Sequence, residues 1–295
     1  MIKPYIEFKK QRDFSEIISD TFKFIRSEFK PLMKAILNIS GPAFLIYMLS
    51  LAAYSYVVGD IFNFAPHNNS ILNSDSLFVS LIVFLIYFIS AIVTYLLIAS
   101  ATLFYIKSYI VNEGKVDVIE VKKNVYKTFW SLFGIGFLKS LTLIIAMLLC
   151  FLPVLYAMVP MAVLYSIYVF EPNSSVIDVY SKSYNLVNAD FWITFAVYLV
   201  LFIIYYIIIF VFALPTTVLT MIGTSVFSGE IDPADLTDFT QNPILILLNL
   251  AQTFFQTLVN LILVIGGVLI YFHLHEKTTF TGTYDRISKI GQSKD

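Results

Sequence analysis

Residues 176–192, VIDVYSKSYNLVNADFW, separate two long apolar runs and supply the pattern from which the fold can be predicted. The segment is charged, since it carries Asp178, Lys182 and Asp190. Its apolar and small side chains recur at helical spacing, which places them on one face: Val176, Val179, Tyr180, Ser183, Tyr184 and Val187. The pattern predicts an amphipathic helix at a membrane interface that leads the chain into a hydrophobic span.

The composition of the whole chain is that of a membrane protein. Of its 295 residues, 58% are hydrophobic and only 13% are charged, which is far from the usage of soluble domains. Long blocks without any charged residue cover 35–59, 76–106, 140–170, 191–229 and 239–275. Because a helix needs roughly 20 residues to cross a bilayer, these blocks predict an all-α polytopic protein. The predicted spans are 35–58, 78–106, 132–151, 154–170, 191–213 and 244–272.

Two boundaries within this pattern depend on proline. The run 132–170 would be about 58 Å long as one helix, too long for a single crossing. A tight turn near Pro153 makes it a helical hairpin, and a tilted span followed by a re-entrant piece is the alternative. The apolar stretch 214–229, which contains Pro215, is placed at the outer interface, because a further span there would move the basic C-terminus outside.

The basic residues give the predicted orientation. Of the 19 Lys and Arg residues, 18 lie on one side of the predicted spans, and Lys139 lies inside span 132–151 in the half nearer that side. The charged residues of the long loops on the other side, 59–77 and 214–243, are all acidic: Asp60, Asp75, Glu230, Asp232, Asp235 and Asp238. The positive-inside rule then predicts that both termini are cytoplasmic. The N-terminal segment lacks the features of a cleaved signal peptide, and the single cysteine, Cys150, excludes an internal disulfide.

Two earlier segments align with 176–191 without gaps. They are 14–29, FSEIISDTFKFIRSEF, and 118–133, VIEVKKNVYKTFWSLF. All three share an acid (Glu16, Glu120, Asp178) and an aromatic residue (Phe22, Tyr126, Tyr184) at matching positions. Their apolar faces are expected to lie in the acyl boundary. The alignment predicts a single integral membrane domain, 1–295, of three repeats at about 13–106, 117–170 and 175–272. Each repeat is an interfacial amphipathic helix plus a helical hairpin, and a cytoplasmic tail 273–295 follows.

The third segment also carries a family resemblance. SKSYNLVNADFWITF, residues 181–195, resembles the signature of the membrane domain fused to some bacterial glycerophosphoryl diester phosphodiesterases; the matching residues are Ser183, Leu186, Val187, Phe191 and Trp192. The whole chain, with FKPL at 29–32, GP at 41–42 and EKTTFTGTYDRISKIG at 276–291, resembles a family of uncharacterised Bacteroidota inner-membrane proteins often labelled beta-carotene 15,15'-monooxygenase.

This resemblance implies a location in the bacterial inner membrane, but it implies no catalysis. The catalytic barrel of the phosphodiesterases is absent from this chain. Beta-carotene 15,15'-monooxygenases hold iron through four histidines on a soluble propeller, whereas this chain has three histidines in all.

The last predicted span carries a polar face. Asn249, Gln252, Thr253, Gln256 and Asn260 recur at helical spacing, together with Thr257. Unsatisfied amides are costly in lipid, so this face should point into the helix bundle, a cavity or a partner. Hydrogen bonding between helices accounts for such a face, and a polar path for a lipid headgroup or small solute is the alternative.

A second predicted set lies at the cytoplasmic interface. Basic and aromatic side chains of the second and third segments are expected to contact lipid headgroups: Lys122, Lys123, Lys127, Lys182, Tyr126, Tyr184, Trp130 and Trp192. The partners predicted from this set are anionic lipids of the cytoplasmic leaflet, with a possible protein partner in the envelope and no nucleic acid.

The sequence offers no pattern for catalysis. Apart from Lys139, no Asp, Glu, Lys or Arg lies within a predicted span, which disfavours proton relays and intramembrane hydrolases. His273 and His275 are two residues apart on a helix and point away from each other, so we predict no metal site and no cofactor. The leading hypothesis is a non-catalytic envelope scaffold or lipid-interacting module. The alternative is a transporter of a lipid or small solute that uses the polar face of the sixth span.

Overall fold

The computed structural model describes residues 5–61, 74–149, 151–171, 174–223, 242–280, 282, 284 and 287. Seven helices lie within these residues: α1 (Phe14–Ile61), α2 (Ser74–Val111), α3 (Val118–Leu149), α4 (Phe151–Phe170), α5 (Val176–Asn188), α6 (Phe191–Gly223) and α7 (Pro243–Thr279). All of them except α5 are long and apolar enough to cross a membrane. The prediction of an all-α polytopic fold with six spans is therefore confirmed.

The run 132–170 forms the predicted hairpin. Helix α3 ends at Leu149, α4 begins at Phe151, and the two helices pack against each other. The break falls at Cys150, which lies outside the described residues, slightly before the predicted turn at Pro153. Proline is tolerated in the first turn of a helix, where its missing N–H has no intrahelical acceptor, so Pro153 starts α4 rather than ending α3.

The three amphipathic segments differ in how they join their spans. The third forms a separate helix, α5, whose first turn is closed by a capping box between Ser175 and Asp178. Segments 14–29 and 118–133 are instead the first third of α1 and the first half of α3, with no helix boundary before the apolar part. The predicted starts of spans one and three, 35 and 132, are therefore not helix ends. A continuous helix keeps its backbone hydrogen bonds at these positions, whereas two separate helices would each leave end groups that need caps.

The apolar face of α5 packs on protein and not in the acyl boundary, which corrects the sequence prediction for this segment. Val179, Ser183 and Val187 are fully buried, and α5 packs on α4 and α3. Ile177, on the opposite side of α5, is largely exposed. The hydrophobic periodicity identified the buried face but could not show what covers it.

Helix α6 is longer than predicted. It continues through Pro215 to Gly223, so residues 214–223 belong to the helix and do not form a separate interfacial stretch. An internal proline removes one backbone hydrogen bond but does not have to end a helix in a membrane. Residues 224–241, with the four predicted loop acids Glu230, Asp232, Asp235 and Asp238, lie outside the described residues, as do the side chains of Asp60 and Asp75.

The chain divides into two compact units that do not follow the predicted repeat boundaries. Unit 1 contains Met1–Ile39, Leu96–Tyr205 and Asn260–Asp295, and unit 2 contains Ser40–Tyr95 and Tyr206–Val259. The threefold repeat stays a prediction of the sequence.

Close helix packing forms the core of unit 1. Val159, Met161 and Ile167 of α4 are fully buried, as are Ile265, Val268 and Leu269 of α7. A Cβ added to Gly267 would lie 2.9 Å from the Ala162 carbonyl oxygen, so glycine permits the close approach of α7 to α4.

Unit 2 contains a group of stacked tyrosines and a polar cross-link between α1 and α2. Tyr54 and Tyr87 stack with ring centroids 4.9 Å apart, and Tyr47 stacks on the other side of Tyr87 at 5.8 Å. The hydroxyl groups of Ser50 and Ser90 hydrogen bond at 2.8 Å. Each hydroxyl has one hydrogen, so the serine that accepts in this pair donates to a carbonyl oxygen of its own helix, that of Tyr47 for Ser50 or Tyr87 for Ser90.

Candidate functional site

The non-helical residues 5–13, here called the N-terminal strap, are fixed to unit 1 by Arg12. The Arg12 side chain is fully buried and donates from Nε to Asp20 at 3.0 Å. Its remaining donors reach backbone carbonyls within the strap, at Phe8 (2.7 Å), Lys10 (3.2 Å) and Glu7. Burial lowers the pKa of Arg12, and the hydrogen bond to Asp20 opposes this effect. A buried cation thus organises the backbone of a segment that has no helix or strand of its own.

The strap also bonds to the far end of the chain. The Arg12 amide donates to Nδ1 of His273 on α7 at 3.1 Å, so that nitrogen is unprotonated. The neutral ring then carries its proton on Nε2, which faces Oδ2 of Asp190 at 3.5 Å. Asp190 also accepts from Lys277 at 2.6 Å.

An aromatic cluster lies beneath the strap. Phe8 packs edge-to-face against Phe24 at 5.1 Å and Phe272 at 5.9 Å, and Phe24 meets Tyr109 at 5.3 Å. The strap amide of Ile6 donates to the Tyr109 hydroxyl at 3.1 Å. Both Phe8 and Phe24 are fully buried, which ties the strap into the core of unit 1.

A cavity of about 620 Å³ lies beside the strap and is lined entirely by residues of unit 1. Its charged and polar lining consists of Lys9, Lys107, Glu171, Lys182, Tyr271 and His275. Its apolar lining consists of Ile110, Val111, Phe170 and Phe272. The strap, α2, the C-terminal end of α4, α5 and α7 each contribute at least one side chain. We refer to this space as the basic cavity.

Three of the four charged groups of the basic cavity are cationic. Lys107 donates to the Val169 carbonyl oxygen near the end of α4 at 2.6 Å. Lys182 pairs with Glu171 at 2.8 Å and also donates to Ser174 at 3.0 Å. Glu171 in turn accepts from the Tyr271 hydroxyl at 3.3 Å. One carboxylate among three lysines leaves an excess of positive charge, which favours an anionic ligand.

Most of the predicted lipid-contact residues are exposed. Lys122, Lys123 and Lys127 project from α3, whereas Val121 and Val125 of the same turns are buried. Trp130, one turn further along, is 77% exposed. Trp192 at the start of α6 is 78% exposed.

The remaining members of that predicted set make protein contacts. Tyr126 is half exposed, and its hydroxyl donates to the Ile39 carbonyl oxygen at 2.9 Å. Tyr184 packs against Tyr180 at 5.3 Å. Lys182 lines the basic cavity. The structure therefore separates an exposed group on α3 from residues that stabilise unit 1.

The predicted polar face of the sixth span lies on α7. Gln252 accepts from the Thr216 hydroxyl of α6 at 2.8 Å, within unit 2. Thr257 donates to the Thr253 carbonyl oxygen of its own helix at 2.8 Å. Asn249 and Asn260 are partly buried, and Gln256 is exposed. Hydrogen bonding between helices thus accounts for Gln252, as one of the two sequence interpretations requires.

The histidines of α7 diverge, as their spacing predicts. His273 faces Arg12 and Asp190, whereas His275 lines the basic cavity and hydrogen bonds with Thr279 at 3.0 Å. Among the described residues, no group of three His, Cys, Asp or Glu side chains could hold a metal ion.

Sequence reasoning missed most of the basic cavity. It selected Lys182, but not Lys9, Lys107, Glu171 or Tyr271, which come from separate chain segments. A local signal exists only at Lys107 and Glu171, since each is an isolated charge beside a long apolar run. No periodicity within one segment shows that these residues converge.

The fold defines the chain as an all-α polytopic membrane protein. No protein-family model, curated protein or solved structure matches it. The family resemblance of its third amphipathic segment therefore stays a prediction.

Proposed function

We propose that the chain is a non-catalytic multi-pass protein of the bacterial inner membrane, with both termini cytoplasmic, that interacts with anionic phospholipids. The orientation is supported by the basic residues, because Lys9, Lys107 and Lys182 from three segments predicted to be cytoplasmic line one cavity.

The observation that carries this proposal is the exposed basic surface of α3. Lys122, Lys123 and Lys127 project from the helix just before Trp130, which is itself exposed. Tryptophan side chains favour the membrane interface, and lysines on its cytoplasmic side can contact anionic headgroups. The order of three lysines followed by Trp130 at the start of a span suits such an interface. The buried valines of the same turns fix the rotation of α3, so the three lysines cannot turn inward without loss of the core.

Lipid retention tests the proposal directly. The full-length protein is reconstituted with equal phosphatidylglycerol and phosphatidylcholine, extracted in neutral detergent, and its bound lipid is measured by mass spectrometry. We expect phosphatidylglycerol to be enriched. The triple variant Lys122→Gln, Lys123→Gln, Lys127→Gln should reduce this enrichment by about fivefold per lysine, because each contributes roughly 1 kcal/mol near an anionic surface.

The matched control replaces the same three lysines with arginine, which retains the charge. This control should keep the enrichment, and 0.5 M salt should reduce it in the unmodified protein, since surface electrostatics are screened. Equal retention of both lipids by the unmodified protein, or an enrichment that the glutamine variant leaves intact, would contradict the proposal.

A further inference from the structure

We propose that the basic cavity binds one phosphate group of an amphiphilic ligand, with the phosphate on the lysine side and an apolar substituent against Ile110, Val111 and Phe272. The lipid form of this inference rests on the proposed function, but it assigns a single site that is separate from the exposed surface of α3.

The sign of the ligand's charge follows from the lining. Lys9, Lys107 and Lys182 oppose one carboxylate, that of Glu171. The ion pair between Lys182 and Glu171 offsets one charge of each sign, so the described lining keeps a net positive charge. A cation entering the cavity would meet net repulsion, whereas an anion would meet net attraction.

The donors of the cavity suit an oxyanion. An ammonium group has three donor hydrogens, and Lys107 gives one of them to the Val169 carbonyl oxygen. Two hydrogens of Lys107 are therefore left for a ligand, and the Tyr271 hydroxyl and His275 ring add polar groups to the same wall.

Phosphate fits this arrangement better than carboxylate. A planar carboxylate is recognised most effectively by the flat fork of arginine, and no arginine is among the described residues that line this cavity. Lysines act as point charges that approach from separate directions, as these three do from the strap, α2 and α5. A phosphate group offers oxygens in several directions and can engage all three.

The size and apolar wall call for more than a free ion. A volume of about 620 Å³ lies within the range of sites for small organic ligands. Phe170 stacks on Tyr271 at 5.7 Å and meets Phe272 edge-on at 4.8 Å, which makes one wall rigid. Val111 at the end of α2 is 71% exposed, so an apolar substituent can leave the cavity beside it.

Thermal-shift titration of the full-length protein in neutral detergent tests the site. The probes are dioctanoyl phosphatidic acid, inorganic phosphate and dioctanoyl phosphatidylcholine, whose phosphate is shielded by choline. We expect saturable stabilisation by phosphatidic acid and none by phosphatidylcholine. Lys107→Gln should weaken binding about tenfold, as expected for one charge-assisted hydrogen bond, while Lys122→Gln on α3 should leave it unchanged.

A second variant keeps the test decisive if Lys107→Gln unfolds. Val111→Trp fills the exit of the cavity but retains all three lysines, so phosphatidic acid should bind at least tenfold more weakly while inorganic phosphate is unaffected. Tighter binding of phosphatidic acid than of inorganic phosphate identifies a lipid ligand. Equal binding of both would show that the apolar wall contributes nothing and would contradict an amphiphilic ligand.

The outcomes separate this inference from the proposed function. If neither phosphate probe binds, or if folded Lys107→Gln and Val111→Trp bind phosphatidic acid as the unmodified protein does, the basic cavity is not a phosphate site. If the cavity fails this test but the α3 glutamine variant loses its phosphatidylglycerol enrichment, the proposed function still stands. If phosphatidic acid still binds the cavity but the α3 glutamine variant keeps its phosphatidylglycerol enrichment, the phosphate site stands and the proposed function fails.

Discussion

Replacing Arg12 with glutamine should loosen the N-terminal strap without unfolding the helices. Arg12 donates to Asp20 on α1 and to three strap carbonyls, so one side chain joins the strap to itself and to the core. Glutamine is shorter, carries no charge and can replace only part of this set. The carboxylate of Asp20 then loses its buried partner.

The expected cost follows from the groups that remain. Removing one partner of a buried ion pair typically costs about 3–5 kcal/mol. We expect the lower figure here, because Asp20 keeps contacts with Lys10 at 3.6 Å and Lys23 at 3.3 Å. A loss of about 3 kcal/mol raises the population of the open strap roughly 100-fold.

Hydrogen exchange measures that opening at named amides. The amides of Ile6, Lys10 and Arg12 donate to the Tyr109 hydroxyl, the Phe8 carbonyl oxygen and the His273 ring respectively. Their exchange in detergent should become about 100-fold faster in Arg12→Gln, in proportion to the open population, while α4 amides keep their protection.

The matched control removes the exposed partner of the same carboxylate. Lys23 contacts Asp20, but its side chain is 65% exposed, so Lys23→Gln should change strap exchange less than fivefold, as expected for an exposed ion pair. Equal exchange rates in Arg12→Gln and the unmodified protein would refute the view that this arginine holds the strap.

Three further predictions concern packing, buried polarity and pH. Gly267→Ala should lower the free energy of unfolding by about 1–3 kcal/mol, because the new methyl meets the Ala162 carbonyl oxygen. The control Gly134→Ala has open space around the new methyl and should be neutral or stabilising. Equal melting temperatures for the two variants would contradict this prediction. Tyr105→Phe should cost about 1.5–3 kcal/mol in chemical unfolding, since its buried hydroxyl donates to Glu28 at 2.7 Å, and an unchanged midpoint would count against that bond. Hydrogen bonding by the Ser175 side chain and backbone lowers the pKa of Asp178, so the α5 cap stabilises above the ordinary carboxyl pKa and is lost as the pH falls through the lowered value; amide exchange in the first turn of α5, corrected for intrinsic rates, should rise only in that acid range.

The spans could be predicted because a bilayer imposes a strong local rule. Uncharged blocks of sufficient length mark crossing helices, and the length of 132–170 excludes a single crossing. The end of α6 could not be predicted in this way, because Pro215 is compatible both with a helix end and with a helix that continues past one lost hydrogen bond.

Tertiary contacts explain what the sequence could not show of the site. The lysines of α3 were predicted because they lie next to one another on one amphipathic segment. The basic cavity requires Lys9, Lys107 and Lys182 to meet, although they are far apart in the chain and belong to three different elements. The strap itself lacks a hydrophobic period, and its order comes from partners such as His273 that lie near the other end of the chain.

The bond between Arg12 and His273 joins residues 261 positions apart, which constrains how the molecule is made. The ribosome releases the strap before its acceptor on α7 has been synthesised. The Arg12 backbone amide and the Phe8 ring therefore meet His273 and Phe272 only after the intervening helices have entered the bilayer. A nascent chain that stalls before α7 lacks the acceptor of this bond, so the strap can be fixed only after α7 has been made.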